Sequence, residues 1–522
     1  MAKLAIDRLD ALFNPRSIAL IGASNNPLKW GFIIPTNIIT GQYKGELFLV
    51  NPKEKTILAR QSYPNLAAIP RDIDLAIIAT PSGTVPSVME ECIEKRIKAS
   101  IVITAGYSET GEEGAKLERE VVNIATRGGI TVVGPNTMGV YSASTSLYAL
   151  MPPVRPKPGA VALVSQSGNL GTQLLDMGEP AGIGFTKFVS SGNEAQTTTE
   201  DYLEYFGRDP ETKVILAYIE GLKGIEGGRR FMEVAREITK RKPIIVYKAG
   251  RSQSGARAAK SHSGAIAGSE QIYEAAFKQL GVIQASTIGQ LLDLARGFEG
   301  SPLPRGRRVL IETWGGGYGV VTADACEEDG LEVAKLSPNL VAELDKILPP
   351  YWSKGNPVDL VGTLNRDAHL KCLELLAKSS DGDATIALGV IAGASRFVEL
   401  ILQSGSLPDI KGGEEFAQMF KKGDEDSVNE ISKLVAKYGK PIVAVTLTSG
   451  GGGITEELKQ WKNILVYPTP EKATKVLSKL YEYQRYLDTE TQRKGKNAKS
   501  RGHARLSPSE ASRRKPSQNQ EI

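Results

Sequence analysis

Three histidines occur in the chain, and His262 is the one whose surroundings could support chemistry. It lies in AKSHSGAIAG (259–268), between Ser261, Ser263 and Gly264. Small neighbours permit close approach, and a neutral imidazole is a nucleophile near pH 7 if a partner orients its other nitrogen. By itself, a lone loop histidine more often has no chemical role. His369 follows RDA on what reads as an exposed helical segment, and His503 lies in a polar tail, so neither is given a role. Glu220 closes the apolar run VILAYIE (214–220). A carboxylate there is costly to desolvate unless paired, so it either holds a loop by an ion pair or accepts a hydrogen bond from an imidazole N–H.

Two Gly-rich turns follow apolar runs. In SQSGNLG (165–171), Ser165, Ser167 and Gly168 end a strand and open a helix with no bulky side chain in the way. Exposed amides at a positive helix end suit a dianionic phosphoryl group, and Ser167 suits a plain N-cap as well. In SIALIGASNNPLKWG (17–31), Gly22 permits a tight turn, and Ser24 and the following amides can face a phosphate. Lys29 here and Lys53 in VNPK (50–53) can supply counter-charge; the alternative is a bare strand–helix connection with solvated lysines. ATPSG (79–83) ends the next long strand, at the edge where doubly wound sheets bind ligands. No HExxH, GxSxG or Lys-bearing Walker A loop occurs, so no ATP site is visible in the chain itself.

The elements that must position these residues alternate. SIALIG (17–22), ELFLV (46–50), DLAIIAT (74–80), SIVIT (100–104) and ITVVG (130–134) read as strands separated by helical patterns such as 85–95 and 112–126. That is βαβ order, and hence parallel sheets with helices on both faces. The Pro-rich break MPPVRPKPG (151–159) ends the first unit. A second unit has strands at 160–165, 185–190, 214–220 and 243–250, and a third at 308–314, 331–336, 384–391 and 441–451. The second and third open alike, with a strand, a Gly-rich turn (SQSGNLG, WGGGYG) and a helix, so they read as two related doubly wound domains. Residues 405–425 read as an inserted loop. The expected divisions are 1–152, 153–302 and 303–487, with a basic, unstructured tail over 488–522.

Apolar residues make up 41% of the chain and charged residues 24%, the balance of a soluble globular protein. The net charge is +5, and the tail alone holds nine Lys/Arg against four Asp/Glu, so the body is close to neutral. That argues against nucleic-acid binding as the main task. Cys92, Cys326 and Cys372 are too far apart for a zinc motif and read as buried small hydrophobes in a reducing compartment. No run approaches the ~20 apolar residues of a membrane span, and the N-terminus lacks a secretory pattern, so the expectation is a cytoplasmic protein without membrane contact.

Taken in order, IGASNNPLKWG, VNPK, GPNTMGVYS (134–142), VSQSGNLG, SSGNEAQTTTEDYLEYF (190–206), YIEG (218–221) and SHSGAIAG carry a resemblance. From about Leu9 to Tyr486 the chain resembles the α subunits of ADP-forming acetyl-CoA synthetases, and more distantly those of succinyl-CoA synthetases. GNPVDLVG (355–362) and YPTPEKATKVLSKLYEYQRY (467–486) resemble the extra domain of the acetyl-CoA type. The resemblance implies a Rossmann-like CoA-binding domain followed by two flavodoxin-like domains. It implies that Gly22, Ala23 and Ser24, with Lys29 and Lys53, bind CoA phosphates, that Thr80 and Pro81 lie along the CoA, and that Asn136 sits near the thioester. Ser165, Ser167 and Gly168 would cradle the phosphoryl group, His262 would carry it, and Glu220 would hold the other ring nitrogen. Gly192 and Asn193 would help form the acyl pocket, and no metal is expected on this chain.

The family reaction is acyl-CoA + phosphate + ADP ⇌ acid + CoA + ATP, through an acyl phosphate and a phosphohistidine. It implies a partner: an ATP-grasp β subunit holding ADP or ATP with Mg2+, in an α2β2 heterotetramer. Two other readings compete. A CoA-sensing regulatory protein that has lost catalysis is disfavoured by the presence of His262, Glu220 and an intact SQSG turn. An NAD(P)-dependent oxidoreductase is disfavoured by the lack of GxGxxG and by VNPK where an acidic residue would follow the second strand.

Overall fold

The computed structural model describes residues 2–255, 257, 270–362, 365–389, 391, 413–446 and 464–503. Three α/β units carry three sheets. The first contains β1 (Ser17–Ile21), β2 (Glu46–Val50), β3 (Thr56–Ile57), β4 (Arg60–Tyr63), β5 (Leu75–Ile78), β6 (Ala99–Val102) and β7 (Thr131–Val133). Their spatial order is β3-β4-β2-β1-β5-β6-β7, parallel except for the β3–β4 pair. Every residue of β1 and β5 is buried, and apart from Ser17 all are apolar, the pattern of a parallel strand covered on both faces. The order reverses at β1, so the turns after β1 and β5 flank the crevice where such sheets take ligands.

The second sheet contains β8 (Gly139–Ser142), β9 (Leu147–Leu150), β10 (Pro158–Ser165), β11 (Phe185–Ser190), β12 (Val214–Ile219), β13 (Ile244–Lys248) and β14 (Ile283–Gln284), in the order β14-β13-β12-β10-β11-β8-β9. β10 lies between β11 and β12 and is parallel to both, which makes its turn the second switch point. The third holds β15 (Arg308–Thr313), β16 (Glu332–Val333), β17 (Val358–Asp359), β18 (Ala384–Leu388), β19 (Ile442–Val445) and β20 (Leu465–Tyr467), with β15 between β16 and β18.

Four expectations are corrected. The β8–β9 hairpin, expected in the first unit, joins the second sheet by antiparallel pairing of β8 with β11. The Pro-rich break at 151–159 therefore connects two strands of one sheet. The physical reason is the apolar face of the hairpin, whose Tyr141 and Leu150 pack with Val161 and Phe188. Second, a helix spans Gly413–Tyr438, so 413–425 is not a loop; 405–412 lies outside the described residues. Third, the last helix runs Pro470–His503, into the tail expected to be unstructured. Tyr483 donates to Thr239 O at 2.6 Å, anchoring this helix on the second unit, and the Arg493–Glu490 pair at 2.9 Å supports its extension. Fourth, His369 is not exposed. It shares the buried stripe of the helix Arg366–Lys378 with Cys372, Leu373 and Leu376, at 5% exposure. A polar residue in an apolar slot hides the helical period. All three cysteines are buried and free.

The first two units share one continuous core. Phe13, at the end of the helix Ala2–Phe13, stacks on Tyr205 at 5.1 Å and meets Phe206 at 5.6 Å, both on the helix Thr199–Arg208 of the second unit. Such aromatic pairs contribute ~0.5–1.5 kcal/mol beyond their area burial. Among the described residues no helix is long and apolar enough to cross a membrane.

Candidate active site

The carboxyl edges of the first two sheets face each other across one cleft of about 1430 Å³. Gly22 after β1, Thr80 and Pro81 after β5, and Asn136 after β7 line one side, with Lys29. Ser167 and Gly168 after β10, Gly192 and Asn193 after β11, and Glu220 after β12 line the other. Ten of the fifteen candidate residues therefore share one space. Ala23, Ser24 and Ser165 lie behind its wall, and Lys53 lies outside its lining. His262 falls at 258–269, outside the described residues.

The wall around Gly22 is built from backbone. Gly22 has φ +92°, and a Cβ there would lie 2.7 Å from Ala79 O. The amides of Gly22 and Ala23 both donate to Val50 O, at 3.1 and 3.2 Å, and that of Ser24 donates to Gly31 O at 3.0 Å. Ser24 Oγ accepts from the Asn26 amide at 3.1 Å. These groups close the turn instead of facing the cleft. The adjacent helix Trp30–Thr40 begins at Lys29 without a side-chain cap, and Lys29, Trp30 and Gly31 line the cleft, so its first turn presents the positive end. Asn51 Nδ2 donates to Ala23 O at 2.7 Å and Asn51 Oδ1 accepts the Lys53 amide at 2.8 Å, so Lys53 rides on a loop braced to this turn.

The two sides of the cleft are fastened where the GPN and SGN turns meet. The Asn193 amide donates to Pro135 O at 2.9 Å and the Ala195 amide to Gly134 O at 3.0 Å. Gly192, at φ +61°, would place a Cβ 2.3 Å from Pro135 O, so only glycine allows this approach. The Asn193 side chain donates to Glu109 Oε2 at 2.5 Å and Glu118 Oε2 at 2.9 Å. Burial would raise the Glu109 carboxyl, but the bonds from Asn193 and the nearby amides win and hold it below the usual carboxylate range.

At the β10 turn, Ser165 is fully buried and its hydroxyl donates to Ser167 O at 2.6 Å, shaping the turn. Ser167 stands at the N-cap of the helix Gly168–Gly178, but its side chain makes no capping bond. The hydroxyl and the first amides are thus left to the cleft. A Cβ at Gly168 would fall 2.3 Å from Met138 Cγ. Glu220, 6% exposed, faces this turn from β12.

Four residues at this edge escaped sequence reasoning. Gln166 bonds to the amides of Glu220 and Gly221, at 2.6 and 3.1 Å. Lys248 ends β13 and Glu220 directly follows β12; the same signal, a charge closing an apolar run, was available for Lys248. Burial lowers the Lys248 ammonium, against the opposing pull of Glu220 and Glu270. Lys223 joins the loops by donating to Asn193 O and Glu194 O, at 2.6 and 2.7 Å. Glu194 lines the cleft at 4% exposure, and Ser191 and Thr199 donate to its Oε1 at 2.7 and 2.6 Å. Burial pushes its carboxyl up to about 7 despite those hydroxyls, with Glu200 adding to the rise and Lys223 opposing it.

Chemically, the cleft offers an uncapped helix end on each side, the lysines Lys29 and Lys223, and the buried acids Glu194 and Glu220. It can hold an extended anionic ligand along the first sheet with its far end at the second. Comparison with known proteins agrees with that division. Residues 16–143 match a CoA binding domain, 158–298 a succinyl-CoA ligase-like flavodoxin domain, and 309–379 a ligase-CoA domain. The chain is 40% identical over 463 residues to the acetate–CoA ligase (ADP-forming) II subunit alpha of Pyrococcus furiosus, covering 89% of this chain and 95% of that one. It is 40% identical over 486 residues to the I subunit alpha of the same organism, covering 92% and 98%. A solved structure of the dinucleotide-forming acetyl-coenzyme A synthetase 1 of Ca. Korarchaeum cryptofilum, in complex with phosphate and ADP, superposes with a TM-score of 0.80 at 34% identity, covering 92% of this chain and 97% of that chain. With near-complete coverage on both sides, the chain belongs to the family of ADP-forming acetate–CoA ligase alpha subunits.

Proposed function

We propose that this chain is the CoA-binding, phosphohistidine-bearing subunit of an ADP-forming acyl-CoA synthetase, catalysing acyl-CoA + phosphate + ADP ⇌ acid + CoA + ATP with a partner. The observation that carries the reading is the single cleft onto which the Gly22–Lys29 wall, the uncapped Ser167–Gly168 turn and Glu220 all open. CoA runs along the first wall, its anionic groups at the open helix end beside Lys29, with Thr80 and Pro81 beside it and Asn136 towards the thioester. Gly192 and Asn193 border the acyl group. Phosphate oxygen attacks the thioester carbonyl and the C–S bond breaks, giving acyl phosphate and CoA. The His262 imidazole then takes the phosphoryl group and releases the acid. Glu220 accepts a hydrogen bond from the far ring nitrogen, which fixes the tautomer and favours the cation-like phosphorylated ring. The amides at Ser167 and Gly168 receive its negative charge.

The phosphoryl group passes finally to ADP. That nucleotide, with Mg2+, belongs to an ATP-grasp β subunit in an α2β2 assembly. One finding supports a separate chain: relatives covered almost end to end are named alpha subunits. Among the described residues no group of three His, Cys, Asp or Glu side chains is placed to hold a metal. The proposed setting is the cytoplasm. The test is reconstitution. The isolated chain should make no ATP from acetyl-CoA, ADP and phosphate, and the β chain should restore turnover. Labelled ATP with the β chain should give an acid-labile, base-stable adduct that His262→Ala abolishes. ATP synthesis by the isolated chain, or an adduct on another residue, contradicts the proposal.

A further inference from the structure

Glu220 is held through its main chain from two directions. From the β10 turn, Gln166 Oε1 accepts the amides of Glu220 and Gly221, at 2.6 and 3.1 Å, while its Nε2 donates to Gly221 O at 2.8 Å and to Thr199 Oγ1 at 3.4 Å. From the end of β13, Lys248 Nζ donates to Glu220 O at 2.8 Å and Ala249 O at 2.5 Å, and lies 4.8 Å from the centre of the Tyr273 ring. Lys248 is 2% exposed. A buried ammonium is costly, and the parallel ladder already ties β12 to β13 without it. Among the described residues its recorded hydrogen bonds go to main-chain carbonyls, one of them that of Glu220. An expensive cation on that carbonyl, and a side-chain amide on the adjoining N–H groups, both act on where this one residue stands.

We propose that Gln166 and Lys248 are positioning residues for phosphoryl transfer: they clamp the Glu220 main chain from its amide and its carbonyl sides, setting its carboxylate against the Ser167–Gly168 turn. Gln166 belongs to that turn, so it links the phosphoryl cradle directly to the histidine-orienting carboxylate. Lys248 reaches Glu220 from the neighbouring strand, so it fixes the carbonyl side of the same residue. The proposal rests on the roles given above to Glu220 and His262. Displacement of such a group by about 1 Å is enough to lose ~100-fold in rate.

The experiment is a double-mutant cycle on the complex reconstituted with its β chain, reading the rate of acid-labile labelling of His262 by ATP and, separately, CoA affinity by calorimetry. Gln166→Leu and Lys248→Met should each slow labelling roughly ten- to a hundredfold and leave CoA affinity unchanged. In a Glu220→Gln background the same substitutions should slow labelling by less than about twofold further, because the group they position is already disabled. A general loosening of the fold would multiply with Glu220→Gln instead. Full multiplication of the effects, or wild-type labelling in both single variants, overturns the proposal. Should Gln166→Leu fail to fold, Gln166→Met, which keeps the length of the side chain and loses both its acceptor and its donors, enters the same cycle and is read the same way. Survival of the adduct in His262→Ala would defeat the proposed function itself, an outcome distinct from additivity in the cycle.

Discussion

The turn after β10 and the turn after β15 are built by one device and put to different settings. In each, the strand's last residue donates its hydroxyl to the carbonyl two residues on: Ser165 to Ser167 O at 2.6 Å, Thr313 to Gly315 O at 2.8 Å. In each, the following helix starts without a side-chain cap. The neighbours differ. Gly168 is pressed against Met138 and Ser190, and its turn opens onto the cleft shared with the first unit. At the third-sheet turn, among the described residues, a Cβ at Gly315 or Gly317 would meet nothing within 4 Å, and at Gly316 the Asp359 carboxylate stands at 3.3 Å. The buried acids differ too. Glu194 lies beside the first turn, solvated by two hydroxyls and facing the cleft. Glu312, fully buried on β15, has its Oε1 3.6 Å from His369 Nδ1, with the imidazole edge-on to Trp314. Burial raises the Glu312 carboxyl, and His369 only partly offsets this. A backbone motif thus supplies amides, and what faces the turn decides whether they meet a ligand.

That contrast can be broken in three places, taken from the largest expected effect down. His369→Ala removes the partner of a buried acid and leaves a cavity, so chemical denaturation should show a loss of about 2–4 kcal/mol. His262 labelling in the surviving folded protein should be unchanged; a labelling defect would mean that the third-unit pair serves the chemistry after all. Glu194 comes next. Its folded-state value of about 7 lies above the unfolded reference of 4.5, so the folded chain keeps a proton that the unfolded chain releases. The sign follows: this contribution is fully present below about pH 4.5 and is lost as pH rises to about 7. Besides burial, which raises it, the Thr199 and Ser191 hydroxyls lower it, Glu200 raises it and Lys223 lowers it. Glu194→Gln should therefore gain on the wild type by roughly 3 kcal/mol between pH 4.5 and 7.5. Parallel stability–pH curves would show that the carboxyl titrates normally.

The smallest effects test the turns directly. Gly168→Ala must displace Met138 or bend the turn, and should lower stability by about 1–3 kcal/mol. Gly317→Ala meets no described residue within 4 Å on its helix and should be neutral or raise stability by up to about 1 kcal/mol. Equal thermal shifts in the two variants would erase the claimed difference between an enclosed turn and an open one.

Much of this was legible in the residue order. FTKFVS is β11 residue for residue, and the runs at 17–22, 46–50 and 214–220 are strands within a residue at either end. Periodicity and turn chemistry are local, so apolar runs bounded by Gly and Pro reveal the βαβ units and the candidate turns at their carboxyl ends. The failures came where partners lie far away in the chain. β8 pairs with β11, more than forty residues later, so the Pro-rich connector reads as a boundary although it joins two strands of one sheet. His369 disappears into a stripe completed by Glu312 and Trp314, more than fifty residues earlier.

The sequence by itself determined the alternation of elements, the family resemblance, and the candidate residues His262, Glu220, Ser167 and Lys29. Tertiary structure decided which amides remain available. Those of Gly22, Ala23 and Ser24 close onto Val50 O and Gly31 O, while the helix starts at Lys29 and Ser167 stay uncapped. It also decided that Gln166 and Lys248 act on Glu220, because their partners lie 54 and 28 residues away. Every buried donor needs an acceptor, and which donor meets which acceptor depends on chain segments that sequence proximity does not bring together.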